Sequence, residues 1–393
     1  MKQFFKTAFC LTSLSVSLCA FAEILLEEPK ERSIVSLLPE NQKKLMEFSS
    51  QEERKAAIES DSKEKKMYFG KKAVWRKQIP VVFSWKCTAD EKEPFRITIS
   101  EKPDFSDPIY LFSGKNRKIK AQPADTKFKI GQKYYWKVTS FGKKGVKGKS
   151  VTESASSSFL TEDLVPRWIS IKGSVGNIRD LGGCRTLDGK RVKQNIVFRG
   201  QGLNYNSGDG EIPGQNRLMI ADLDYFLKDV KIRTDLDLRG TKETANMKVS
   251  PLGESVQFIQ RGSPAYGGIF TKGGKNAMAK NFRVFCDPKN YPIYFHCIAG
   301  ADRTGSLAVV LEAVLGVPEK EIEMDYERTF YPAMRCYLGS AWEAYRTLKE
   351  GIMKYGKEGD SFQKSAELYL KDCGITQEEI EKFRSIMLED GKN

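Results

Sequence analysis

His296 and Cys297 stand side by side, with Gly300 three positions after the cysteine and Arg303 six positions after it. In a loop that curls at the glycine, this spacing carries the Arg303 guanidinium back over the cysteine sulfur. The planar fork of an arginine grips two oxygens of a phosphate at once, whereas a lysine would offer only a point charge. Backbone N–H groups in such a turn and at the start of a helix collect anions, and the same positive field favours a thiolate at Cys297. These residue types in this order are equipped for nucleophilic attack on phosphorus. Ile298, Ala299, Gly300, Ala301 and Thr304 complete the expected phosphate loop, with Thr304 placed to hydrogen-bond the sulfur as it departs.

The leaving oxygen needs a proton, and the loop carries a carboxylate of its own, while residues 256–274 contain none. On geometry Asp302, inside the loop, is the first candidate for general acid and Asp237 the second, with a buried pair to an arginine as the other role open to Asp237. His296 is the only histidine in 393 residues. Adjacent strand residues point to opposite sides, so its ring is expected to leave the sulfur and brace loop carbonyls as a supporting group. Arg179 and Asp180 either line the entrance or lock a turn as an ion pair, and we favour the ion pair; Arg239 and Glu243 are read the same way. One histidine cannot build a multi-histidine zinc site, the cysteines form no C-x-x-C pair, and the chemistry calls for no metal or cofactor.

The elements that must carry this loop are legible around it. "YPIYF" (291–295) reads as a buried strand, and Leu307, Val310, Leu311, Val314 and Leu315 follow helical spacing up to Gly316 and Pro318. Residues 166–393 alternate apolar runs with helical patterns, which signals an α/β domain. Thr376 to Glu379 caps a last helix with Ile380, Phe383 and Met387 on one face. Between 76 and 163 the period is two: Val81, Phe83 and Trp85 share a face, as do Phe95, Ile97 and Ile99, and Tyr134, Trp136 and Val138. Such short alternating strands predict an all-β sandwich. Residues 23–75 read as a polar helical leader or linker, solvated along its length, with a capping box at Ser50 and Glu53.

His296, Cys297, Gly300, Arg303 and Thr304 together resemble the H-C-x-x-G-x-x-R-[ST] signature of cysteine-dependent protein tyrosine phosphatases. "NIRDLGG" (177–183), "VFRG" (197–200) and "DLRGTKE" (237–243) are similar to landmarks of the secreted bacterial tyrosine and dual-specificity phosphatases, over about residues 166–393. That resemblance implies a cysteinyl-phosphate mechanism on phosphotyrosine, and on phosphoserine or phosphothreonine. The family's lysine before the loop aspartate is Ala301 here, which counts against highly anionic phosphoinositide or phytate substrates. The aspartate of similar loops in myotubularin-like lipid phosphatases is the proposed acid there, which points again to Asp302. Trp85, Phe128, Gly131 and Tyr134 resemble the fibronectin type III pattern with its tyrosine corner, which implies a spacer or a surface-contacting module.

The formal charge of +14 suits an anionic partner, a phosphorylated protein or a small phosphate ester. Its 51 acidic residues are interspersed among 65 basic ones and no nucleic-acid motif is present, so nucleic acid is not expected as a partner. Lys2 and Lys6 precede an apolar run too short for a stable membrane span and ending in Ala20-Phe21-Ala22, the pattern of a signal peptide over residues 1–22. The expected destination is periplasmic or extracellular, where disulfides are permitted but not assignable from sequence.

Overall fold

The computed structural model describes residues 23–54, 56–57, 79–88, 94–121, 127–141, 151–164, 169, 174–206, 210–211, 218–329 and 338–391. The expected signal peptide and Cys336 lie outside the described residues. No helix among those described is long and apolar enough to cross a membrane.

The N-terminal region is rich in sheet. Strands β1 (Ile24–Glu28), β3 (Val81–Cys87) and β6 (Lys118–Ala121) form one sheet in the order β1-β3-β6. The other runs β2 (Ser33–Val35), β9 (Ser157–Thr161), β7 (Lys133–Phe141), β4 (Phe95–Ser100) and β5 (Ile109–Gly114), with β8 (Val151–Glu153) beside β7. The alternating residues expected to share faces do so: Val81, Phe83, Trp85, Phe95, Ile97, Ile99, Tyr134, Trp136 and Val138 are all buried in one core. Tyr134 Oη accepts the N–H of Lys129 at 2.9 Å, tying the turn before β7 back onto the strand.

The segment expected to be a solvated helical leader differs in two ways. It supplies β1, antiparallel to β3, and β2, parallel to β9. Polar neighbours mask these short strands in the sequence, yet Ile24 and Leu37 enter the core. A helix does follow, α1 (Glu40–Glu47), and the Ser50–Glu53 capping box forms, Ser50 Oγ accepting from Glu53 N and Glu53 Oε2 from Ser50 N, both at 3.2 Å. Arg54, just beyond, is buried: its Nε donates to Glu327 Oε2 at 2.8 Å and its Nη2 to Glu323. An arginine at 1% exposure across from two carboxylates is a docking contact.

The C-terminal region is α/β. Strands β10 (Arg179–Asp180), β11 (Val197–Gly200), β12 (Thr234–Asp237), β13 (Gln257–Gln260) and β14 (Ile293–His296) form a sheet in the order β10-β11-β14-β12-β13. β11, β14, β12 and β13 run parallel, with β10 antiparallel at the edge. Gly200, His296 and Asp237 occupy one rung at the carboxyl ends of the three central strands, the end where open α/β sheets bind ligands. Around the sheet lie α2 (Lys272–Phe285), α3 (Asp302–Val314), α4 (Glu319–Arg328), α5 (Leu338–Met353), α6 (Phe362–Asp372) and α7 (Gln377–Met387). Helix α3 is buried on every side from Thr304 to Val314, so its start is firmly placed.

The two regions touch. Gln194 bonds Ile130 twice, Oε1 accepting from the backbone N at 2.9 Å and Nε2 donating to the carbonyl at 3.1 Å. Asp163 meets both Arg185 and Arg191.

Removing the Arg54 guanidinium breaks its buried pair with Glu327, a loss of about 3 kcal/mol for a broken interior pair. Urea denaturation of Arg54→Ala, followed by helical circular dichroism, should show it; a change below about 0.5 kcal/mol would mean that the segment rests on the surface without stabilising it.

Candidate active site

Cys297 follows β14 directly, and residues 297–301 form the loop between that strand and α3. Gly300 turns it with φ +70, and a Cβ there would lie 2.3 Å from the carbonyl oxygen of Gly200. The left-handed backbone alone would cost another residue about 1–2 kcal/mol; the collision is far worse, and the loop would have to move.

Every carbonyl on the loop's first four residues is held by a donor from elsewhere. Cys297 O lies 3.1 Å from His296 Nδ1, Ile298 O accepts Gly202 N at 2.9 Å, Ala299 O accepts Asn177 Nδ2 at 3.0 Å, and Gly300 O accepts Arg199 Nη2 at 3.1 Å. Because a peptide unit is planar with N–H opposite to C=O, tying these carbonyls turns the following N–H groups the other way. The N–H groups of 298–303 have no acceptor among the described residues. Cys297 itself is buried.

Arg303, in the first turn of α3, lies across the loop with both terminal nitrogens on Glu243, Nη1 to Oε2 and Nη2 to Oε1, each at 2.8 Å. Glu243 therefore pairs with Arg303, while Arg239 forks onto Asp237, whose two oxygens it engages at 2.7–3.1 Å; the pair we expected between Arg239 and Glu243 gives way to these two. Asp237, the second candidate acid, is thus fully buried with both oxygens occupied. Asp302 starts α3, half-buried, and receives a hydrogen bond from Tyr266 Oη.

Arg179 and Asp180 also differ from expectation. As neighbours on β10 they face opposite ways: the Arg179 guanidinium reaches Asp325 on α4, and the Asp180 carboxylate accepts the backbone N–H of Gly182 at 2.9 Å and of Asn195 at 2.7 Å. Asp180 does brace a turn, through amides and not through its neighbour. Thr304 Oγ1 is buried and has no hydrogen-bond partner among the described residues, so the expected bond to sulfur is absent here.

The ring of His296 is caught between acceptors, Nδ1 facing Cys297 O and Nε2 lying 2.8 Å from Asp235 Oδ1. Only an imidazolium donates to both. Burial disfavours that charge, but Asp237 and Asp235 outweigh it and raise the pKa above the ordinary value. The Cys286 and Cys373 thiols, by contrast, are pushed up by burial to about 12 and about 11. No group of three His, Cys, Asp or Glu that could hold a metal is found among the described residues.

A family model, "Tyrosine phosphatase family", matches residues 170–389. The chain belongs to the tyrosine phosphatase family. It is a cysteine-dependent phosphatase with a sheet-rich region in front of its catalytic part. Two solved structures resemble the phosphatase at 17% identity and a TM-score of 0.26: the core catalytic domain of the PP-IP phosphatase SIW14 from S. cerevisiae in complex with citrate, over 38% of this chain and 85% of that one, and the Siw14 catalytic core, over 41% and 90%. No curated protein sequence matches it.

Sequence reasoning gave no role to several residues that shape the site. Asn177 and Arg199 sit in the landmark stretches, and Asp235 precedes Asp237 by the two positions that put both on one strand face. Tyr266 and Asp325 belong to no motif, and Asp325 reaches the site only through the fold.

Since the folded His296 pKa is raised, its stabilisation is complete below the unfolded value of about 6.5 and fades as pH rises through the folded value. The stability difference between wild type and His296→Asn should therefore be largest in mildly acidic buffer and shrink towards alkaline pH. A difference independent of pH in urea titrations would rule out the imidazolium.

Proposed function

We propose that the phosphatase hydrolyses phosphate monoesters, with phosphotyrosine, phosphoserine and phosphothreonine as the substrate class, through a cysteinyl-phosphate intermediate. The observation that carries this reading is the loop itself, whose carbonyls are tied back at four successive residues around Cys297 while Glu243 holds the Arg303 fork across it.

In the first step the Cys297 thiolate attacks phosphorus, the P–O ester bond breaks, and Asp302 gives its proton to the leaving oxygen. Water then attacks phosphorus, Asp302 takes back a proton, and the P–S bond breaks to release phosphate and the thiolate. Residues 298–303 offer N–H groups, and Arg303 two more donors, to the equatorial oxygens as their charge spreads. Asp237 is the poorer acid on geometry, since Arg239 occupies both its oxygens. Ala301 is buried and apolar where a lysine would serve extra phosphates, which favours simple monoesters.

The remaining assignments extend this reading. We place a fibronectin type III-like domain before the catalytic one, supported by the tie from Tyr134 to Lys129, and read the chain as exported after cleavage near Ala22. The domain's contacts with 185–195 support a role in bracing the catalytic part.

Purified protein, reduced and without added metal, should turn over phosphotyrosine and phosphoserine peptides faster than phosphoinositide or phytate, and turnover of none of the four would sink the reading. Cys297→Ser should lose roughly 10⁴-fold or more in kcat. Asp302→Asn should lose roughly 100-fold on alkyl phosphates and nearer 10-fold on aryl ones, because a phenolate leaves more readily unprotonated; equal losses would count against Asp302 as the acid.

A further inference from the structure

The segment that lacks a carboxylate instead presents a phenol to one. Tyr266 opens the turn Tyr266–Phe270 with φ +53, a left-handed backbone that a bulky residue seldom adopts. Two hydrogen bonds hold it against the start of α3. Its N–H donates to Ser306 Oγ at 3.0 Å, and that hydroxyl donates in turn to the Asp302 carbonyl at 2.8 Å. Its own hydroxyl reaches Asp302 Oδ1. Burial, with the neighbouring Tyr326 and the bond to Asp302, pushes the phenol well above its ordinary pKa, so it keeps its proton and serves Asp302 only as a donor.

We propose that Tyr266 is a positioning residue for the general acid: it occupies Oδ1 of Asp302 and leaves Oδ2 to carry the proton to the leaving oxygen. This rests on the reading of Asp302 as the acid. A proton on Oδ1 would face the phenol hydrogen, so the acid form carries it on Oδ2. During transfer the Oδ2–H bond breaks, an O–H bond forms on the leaving group, and the electron pair stays on the carboxylate. The bond from Tyr266 becomes charge-assisted at that moment, roughly doubling in strength, so it favours the transition state over the ground state. Left-handed strain at a residue held on both sides fits a group retained for its placement.

Tyr266→Phe keeps the ring and removes only the hydroxyl. In the full-length protein it should lower kcat on alkyl phosphates about 10-fold, by roughly the strength of one such bond, with KM unchanged and a smaller loss on aryl phosphates. Combined with Asp302→Asn it should cause no further loss, since the two act as a unit. A wild-type kcat for Tyr266→Phe on alkyl phosphates, or an equal loss in both backgrounds, would overturn the positioning role. If Asp302→Asn alone shows no dependence on the leaving group, the acid reading fails and the proposal with it, whatever Tyr266→Phe does. Thermal midpoints of the variants, expected within a few degrees of wild type, guard against a folding defect.

Discussion

The direction of four carbonyl groups governs this site. A phosphate cradle needs N–H groups aimed inward, and a planar peptide can aim them only by sending its C=O outward, where a buried carbonyl must find a donor. Here the donors come from four places in the chain: His296 at the end of β14, Gly202 beyond β11, Asn177 before β10 and Arg199 on β11. Two of these are cationic side chains, whose bonds contribute about 1.5–3 kcal/mol each against about 1 for a neutral pair. The Asn177 amide is itself fixed, its Oδ1 accepting Arg179 Nη1 at 2.8 Å so that Nδ2 must face the loop. The cradle is thus shaped before any anion arrives, which is what pre-organised electrostatic catalysis requires.

The charges behind the loop follow the same logic. Asp325 stands between Arg179 and Arg199; burial works against its charge, but the two guanidiniums prevail and its pKa is lowered. Burial and the nearby Arg199 bring Arg179 down to about 10, still charged at neutral pH. Glu312 is driven well up by burial and by Asp325. Behind the loop, two guanidiniums thus flank one carboxylate.

How much of this was legible follows from distance along the chain. Cys297, Gly300 and Arg303 act through spacing within one turn, which a sequence displays directly. The capping box at Ser50 and the period-two faces of β3, β4 and β7 are local in the same sense. Glu243 meeting Arg303, Asp325 bridging two arginines and Tyr266 reaching Asp302 depend on strand order and helix packing, and neighbouring residues do not encode them. The mistaken pairs show the bias: Arg179 with Asp180, and Arg239 with Glu243, were joined because they are close in sequence, and β10 alone sends the first two apart. Strands β1 and β2 were missed because three to five residues in polar surroundings give too little periodicity to see.

The N-terminal region is bound into the same framework rather than tethered to it. The turn tied by Tyr134 to Lys129 also carries Ile130, which Gln194 holds by both its carbonyl and its N–H, so the feature that closes the β-rich core also docks it. Arg54 does likewise on α4. Glu323 and Glu327, four residues apart, share one helix face, and Asp325, two positions from each, projects from the other side. One face of α4 therefore receives the N-terminal segment while the opposite face fixes Arg179 and Arg199, and through Arg199 the carbonyl of Gly300. A helix clamped on both sides has little freedom to tilt. The N-terminal segment therefore docks on the same helix that holds Arg179 and Arg199.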